Sequence, residues 1–319
     1  MAAFHLDLPA LAAAAERIEP YVVRTPLLRA TLANGAELCC KPESLQPIGA
    51  FKIRGAFNMM TRMPADTPGV VAHSSGNHAQ AVARAAKVLG LSAVIVMPAD
   101  APPNKRARVV ADGAEVVEVG TDSEERRIKA DEIAEKTGRV LVPPYDHPLI
   151  AAGQGTAALE LIKDAGPLDR FYAPVSGGGL MAGCATAVHG LCPDAEIIGV
   201  EPADANDTYL SLQAGERVSV PPPKTIADGL RVRKPGAGPW HVVKKLVDRV
   251  ELVSDEELLD AMAWAMVHLR IVLEPSGAAS LAVARREGQG RCGVLLSGGN
   301  VTPGLFEEVA RRAAKMPVV

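Results

Sequence analysis

Short apolar runs alternate with longer amphipathic stretches along almost the whole chain. Residues 69–73, 92–97, 114–119 and 138–142 read as buried strands, separated by helices over 77–89, 105–112 and up to 136. Pro102 and Pro103 open the second of these helices, where proline is tolerated in the first turn. Thr121, Asp122, Ser123, Glu124 and Glu125 supply the cap and first-turn acids of the third. After the double proline at Pro143 and Pro144 the pattern restarts with a helix over 149–164, a strand over 170–175, a helix over 180–190 and a strand over 196–201. A strand over 249–253, helices over 254–270 and 276–286, a strand over 292–297 and a helix from Pro303 complete it. Residues 37–41 add a strand, and an Ala-rich amphipathic helix opens the chain. This alternation predicts an α/β fold with mostly parallel strands. Residues 203–239, rich in Pro and Gly and weakly periodic, are expected to be irregular, as long functional loops are. There is no internal repeat, and the proline pair is the best candidate boundary between lobes.

Composition narrows the class. With 319 residues the chain can hold two lobes and a sizeable core. Aromatics are only 3% against 48% hydrophobic residues, so the core must be built from Ala, Val, Leu and Ile, which suits helices on a buried parallel sheet. A net charge of −3 indicates neither a nucleic-acid surface nor a polybasic membrane patch. No apolar run approaches the roughly 20 residues that span a bilayer, and the N-terminus does not read as a signal peptide. The five cysteines include no CxxC pair, so buried structural thiols in a reduced, cytoplasmic setting are expected. Cys39 and Cys40 should face opposite sides of their strand.

Candidate chemistry gathers at strand ends. Lys52 lies in Ile48-Gly49-Ala50-Phe51-Lys52-Ile53-Arg54-Gly55, directly before a helix, and lysine is the amine that forms Schiff bases. Gly177, Gly178 and Gly179 follow a strand and open a helix at Leu180; such a turn receives a phosphate or is simply a tight connection. It lacks both the Lys-Ser/Thr ending of a nucleotide P-loop and the GxGxxG spacing of a dinucleotide site. Ser74-Ser75-Gly76-Asn77-His78 offers donors for a carboxylate, or else a plain helix cap. Glu201, Asp204 and Asp207 either bind a hard cation or make ordinary turns, and on their own the turn is the better reading.

In this order and spacing the segments resemble the fold-type II pyridoxal-phosphate enzymes, in the threonine/serine dehydratase and serine racemase branch. The resemblance runs from Arg24-Thr25-Pro26-Leu27 to Ser297-Gly298-Gly299-Asn300. Between them lie Ser75-Gly76-Asn77-His78-Ala79-Gln80, Ala152-Gly153-Gln154-Gly155-Thr156, Thr225-Ile226-Ala227-Asp228-Gly229 and Glu274-Pro275-Ser276-Gly277. It implies a two-lobed, tryptophan-synthase-β-like α/β fold, with 1–60 and 147–319 forming the large lobe and 61–146 a small lobe that closes on substrate. It implies that Lys52 carries pyridoxal 5'-phosphate as a Schiff base, with Phe51 against the ring, Asn77 at its phenolic oxygen and Ser297 at its nitrogen. Ser176, Gly177, Gly178, Gly179 and Leu180 would hold the phosphate, and Glu274 would border the cofactor. Ser74, Ser75, Asn77 and His78 would take the substrate carboxylate, Ser75 serving also as a second proton donor. Glu201, the carbonyl of Ala205 and Asp207 match a divalent site for Mg²⁺, Mn²⁺ or Ca²⁺, which raises metal binding above the turn reading.

Two positions depart from the family pattern: Ser176 replaces the first glycine of the phosphate loop, and Ala50 stands where Ser is common. The activity implied is β-elimination from a small β-hydroxy amino acid, giving a 2-keto acid and ammonia. A threonine/serine dehydratase of the short, catabolic kind is the expectation, with no regulatory extension, in a homodimer or homotetramer. Serine racemase and 3-hydroxyaspartate ammonia-lyase are the alternatives. Arg231 and Arg233 bear on the last, since either could reach a second carboxylate. Arg126 is a further substrate-binding candidate, a surface ion pair being its other reading. A Rossmann-type oxidoreductase would leave Lys52 unexplained, and a non-catalytic amino-acid binding protein would not need it.

Overall fold

The computed structural model describes residues 4–101, 103–121 and 123–317; Pro102 and Asp122, expected at helix starts, lie outside the described residues. The strands are β1 Leu28–Thr31, β2 Glu37–Pro42, β3 Val70–His73, β4 Ala93–Pro98, β5 Glu115–Val119, β6 Val140–Leu141, β7 Arg170–Pro174, β8 Glu196–Pro202, β9 Arg249–Val253 and β10 Arg291–Leu296. Among the described residues they form a six-stranded sheet, in the order β1-β2-β10-β7-β8-β9, and a four-stranded sheet, β5-β4-β3-β6. All pairings are parallel except β1 with β2. The four-stranded sheet draws only on residues 70–141, and the six-stranded sheet on both flanks of that segment.

The helices are α1 Leu8–Ile18, α2 Lys52–Met60, α3 Asn77–Leu89, α4 Pro103–Ala111, α5 Ser123–Thr137, α6 Pro148–Ala165, α7 Gly179–Leu191, α8 Asp207–Ala214, α9 Ala237–Leu246, α10 Asp255–Trp264, α11 Pro275–Glu287 and α12 Pro303–Ala313. The α1, α6, α7 and α9 helices on one side and α10 and α11 on the other cover the large sheet, as burial of a parallel sheet requires, while α3, α4 and α5 pack on the small one. One core layer joins α1, α6, α7 and α9 through Leu11, Leu161, Met181 and Val243. The opposite layer joins α10 and α11 through Leu258, Met262 and Leu281. Cys39 packs in the first layer and Cys40 in the second, as strand alternation demands. All five thiols are free and buried.

Two expectations fail. Residues 203–239 are not wholly irregular: they contain α8, a 3-10 turn at Asp228–Leu230 and the start of α9. The helix expected over 254–270 is regular only to Trp264, continues as a π turn over Ala265–Leu269, and ends at Arg270, in the left-handed region at φ 58°. No helix among the described residues is long and apolar enough to cross a membrane.

Candidate active site

The carboxyl ends of the parallel strands, where open α/β sheets place their ligands, face a cavity of about 610 Å³. Ser74 follows β3, Ser176 follows β7 and Ser297 follows β10, so strand ends deliver three of the polar segments. The cavity brings together Phe51, Lys52, Ser74, Ser75, Asn77, His78, Arg126, Ser176, Gly177, Gly178, Gly179, Leu180, Glu274 and Ser297. The pair Glu201 and Asp207 lies apart from it, on the β8–α8 turn.

Lys52 is the first residue of α2, and its Nζ donates to the carbonyl of Pro144 at 2.8 Å, 5.0 Å from the Phe51 ring centre. Burial without a carboxylate partner lowers its pKa from 10.5 to about 8, leaving an amine far closer to neutral than an exposed lysine. Two residues on, Arg54 is fully buried. Its guanidinium donates to Glu43 at 2.7 and 2.9 Å and to Glu160 at 2.7 and 2.9 Å. Lys41 completes that cluster, 2.6 Å from Glu160.

The Ser74–His78 loop ends in α3, whose N-cap Gly76 carries no side-chain cap; the Ser74 hydroxyl accepts from the Gly76 N–H at 3.1 Å. His78 pairs with the Val142 carbonyl at 2.8 Å, and burial, aided by the Lys52 charge, pushes its pKa down to about 3. It is a neutral histidine here. Asn77 donates to Glu274 Oε1 at 2.6 Å and accepts from Asn300 at 2.8 Å. Burial, reinforced by Asp228, raises the Glu274 carboxyl to about 7. The Ser297 hydroxyl, buried, reaches the Ser276 carbonyl at 3.3 Å and presents a neutral group.

The glycine loop is shaped by what lies on it. Gly178 adopts φ 89° at the N-cap of α7, a conformation side chains resist. A Cβ on Gly177 would meet three ring carbons of Tyr145 at 2.3–2.4 Å, so the aromatic face covers the loop backbone. With N–H groups at the start of α7 and its dipole behind them, this cradle fits a phosphate. A lysine near neutrality and a neutral hydroxyl line the same cavity, so the residues present fit pyridoxal phosphate.

At the β8–α8 turn, Glu201 accepts from the N–H groups of Thr208 at 3.0 Å and Tyr209 at 2.8 Å. Asp207 is fully buried and both its oxygens lack a hydrogen-bond partner. Burial raises Asp207 to about 7; burial and the neighbouring Asp207 raise Glu201 well above its usual range. No group of three or more His, Cys, Asp or Glu with metal-holding geometry occurs among the described residues. Asp204 therefore does not join Glu201 and Asp207 in a three-carboxylate group.

The arginines are less available than their sequence positions suggest. Arg231 donates from Nε to the carbonyl of Thr225 at 2.8 Å, and again from Nη2. Arg233 reaches the Val220 carbonyl at 3.3 Å, and Arg126 the Thr121 carbonyl at 2.8 Å. Sequence reading missed Tyr145 and the pair that Lys105 of α4 makes with Asp228 across the cavity mouth. Tyr145 carried a signal only as part of the proline-rich boundary, and Lys105 looked like one cation in a basic helix.

A family model described as pyridoxal-phosphate dependent enzyme matches residues 18–298. The serine racemase of Schizosaccharomyces pombe is 42% identical over 300 residues, 91% of this chain and 93% of its own. The L-threo-3-hydroxyaspartate ammonia-lyase of Saccharomyces cerevisiae is 41% identical over 297 residues, 90% of this chain and 91% of its own. Among solved structures, maize serine racemase superposes with a TM-score of 0.88 at 36% identity, covering 97% of this chain and 98% of that one. Sharing both sequence and parallel-stranded fold with these enzymes along almost its full length, the chain belongs to the fold-type II pyridoxal-phosphate dependent enzymes, among their amino-acid ammonia-lyases and racemases.

Proposed function

We propose that this chain is a threonine/serine ammonia-lyase, converting a small β-hydroxy amino acid to a 2-keto acid and ammonia. The observation that carries the reading is Lys52, a buried amine with pKa about 8 placed in one cavity with the Ser74–His78 loop and the neutral Ser297. Ser74, Ser75 and the α3 N-terminus receive the substrate carboxylate, with Asn77 and the uncharged His78 beside them. Pyridoxal phosphate, when bound through Lys52 and the 176–180 loop, supplies the electron sink that makes the α-proton acidic. The Lys52 amine, with its lowered pKa, would be the base that takes that proton. The β-hydroxyl would leave as water, taking up a proton such as the one held on Lys52, and the released enamine would hydrolyse to the 2-keto acid and ammonia. Ser297 would offer the ring nitrogen a neutral hydroxyl and no charged partner. Ser75 is the group that would return a proton from the other face and give racemisation. In this reading residues 61–146 close over the substrate, and Glu201, Asp207 and the carbonyl of Ala205 hold Mg²⁺, Mn²⁺ or Ca²⁺, satisfying the stranded Asp207 carboxylate.

A second reading, 3-hydroxyaspartate as substrate, is favoured by the basic residues at the cavity mouth and by the name of the yeast relative. Against it, Arg231 is oriented by two donations to the Thr225 carbonyl, and Arg233 donates from Nε to the Val220 carbonyl. The deciding assay is keto-acid release from L-threonine, L- and D-serine and L-threo-3-hydroxyaspartate. Highest kcat/KM with threonine or serine supports the proposal; a strong preference for the dicarboxylate, abolished in Arg231→Ala or Arg233→Ala, overturns it.

A further inference from the structure

Three consecutive residues between the two sheets each grip a different part of the cavity. The carbonyl of Pro144 accepts from Lys52 at 2.8 Å. The ring of Tyr145 covers Gly177, and the Tyr145 carbonyl would lie 2.8 Å from a Cβ on Gly179. The Asp146 carboxylate accepts from the N–H groups of Ala237 at 2.8 Å and Gly238 at 2.9 Å, capping α9, which has no side-chain cap from its own N-cap residue. The start of α9 bonds back to the glycine loop, Gly236 N–H donating to the Gly177 carbonyl at 3.1 Å. The contacts thus close a ring: glycine loop, Tyr145, Asp146, α9, glycine loop.

We propose that Tyr145 and Asp146 are positioning residues for cofactor phosphate binding, holding the glycine loop in its anion-receiving shape before the phosphate arrives. A run of glycines loses more backbone freedom on ordering than any other sequence. Clamping it from one face by an aromatic ring and from behind by a capped helix removes that loss from the binding step, which is preorganisation. The inference rests on the reading that residues 176–180 hold the phosphate.

The test compares affinity for pyridoxal phosphate with affinity for pyridoxal, which lacks the phosphate, in full-length protein resolved of cofactor and reconstituted. Wild type should strongly prefer the phosphorylated form. In Tyr145→Ala we expect pyridoxal phosphate to bind about tenfold more weakly while pyridoxal is held as before, and Tyr145→Phe, which keeps the ring, to behave as wild type. Asp146→Ala, at an exposed carboxylate, should lose about fivefold, the scale of a missing helix cap. Equal loss of both ligands in Tyr145→Ala, or loss of neither, overturns the inference while leaving the phosphate site intact. If Tyr145→Ala does not fold, Asp146→Ala decides, and an unchanged preference overturns the proposal. Equal wild-type affinity for the two forms would instead remove the phosphate site itself, and the inference with it.

Discussion

Two groups of buried carboxylates sit in the same lobe and are treated in opposite ways. Glu43 and Glu160 are met by Arg54 and Lys41; the Thr25 hydroxyl donates to Glu43 at 3.1 Å, and the Thr156 hydroxyl accepts from Arg54 at 3.1 Å. Burial alone would raise Glu160, but Arg54 and Lys41 outweigh it and hold the carboxyl below its usual range. Glu201 and Asp207 are met by no cation among the described residues, and both are pushed up. The first cluster is complete as a structural element. The second is a buried carboxyl pair with no cationic side chain beside it among the described residues, and its raised pKa values favour a bound proton. Lys52 follows the second pattern with opposite sign: a desolvated amine that donates to a neutral carbonyl, Pro144. Both proposed ligand sites, for the cofactor at Lys52 and for a cation at Glu201 and Asp207, thus fall where a buried titratable group has no charged partner among the described residues.

The contrast breaks most sharply on removing one member. Arg54→Met strands Glu43, leaves Glu160 to Lys41 alone, and should cost about 3–5 kcal/mol in denaturant unfolding; a loss below about 1 kcal/mol would mean the cluster is not the tie between α2 and α6 that its geometry indicates. Asp207→Asn should do the reverse in chelator-treated protein, leaving stability equal to wild type or higher, since it removes an uncompensated buried charge. Mg²⁺, Mn²⁺ or Ca²⁺ should stabilise wild type but not Asp207→Asn, by about 2.7 kcal/mol at a hundredfold excess over Kd, read as a higher melting temperature. A wild-type melting curve indifferent to both chelator and cation would remove the metal from the account.

A smaller effect is expected from pH. The folded pKa of Lys52 lies near 8, against 10.5 for a free lysine. Between those values the unfolded chain binds the extra proton, so the Lys52 contribution makes cofactor-free protein more stable as pH rises from about 8 towards 10.5. The stability difference between wild type and Lys52→Met should therefore change across that window, and a flat difference would mean that the amine is not desolvated.

Most of the fold was legible because buried parallel strands are short apolar runs, and most helices here carry local caps or first-turn signals. The α9 helix escaped notice for a definite reason: its first turn is capped by Asp146, 91 positions away for Ala237, so no capping residue precedes it in sequence. The π turn after Trp264 was likewise hidden, since the apolar periodicity continues through it. In the candidate site, the glycine loop and the polar segments at strand ends announced themselves by composition. Tyr145 did not, because its place depends on the absence of side chains at Gly177 and Gly179, a complementarity between distant segments. Arg231 and Arg233 looked free in the sequence for the same kind of reason, their acceptors being backbone carbonyls that only the folded loop supplies.

The most direct test of Lys52 as the amine awaiting a partner is borohydride reduction of the holoenzyme, followed by peptide mapping. The account predicts loss of the visible absorption band and a pyridoxyl group on the peptide containing Lys52, with Lys52→Ala losing about 10²-fold or more in lyase turnover. A pyridoxyl group on any other lysine, or undiminished turnover in Lys52→Ala, would contradict it.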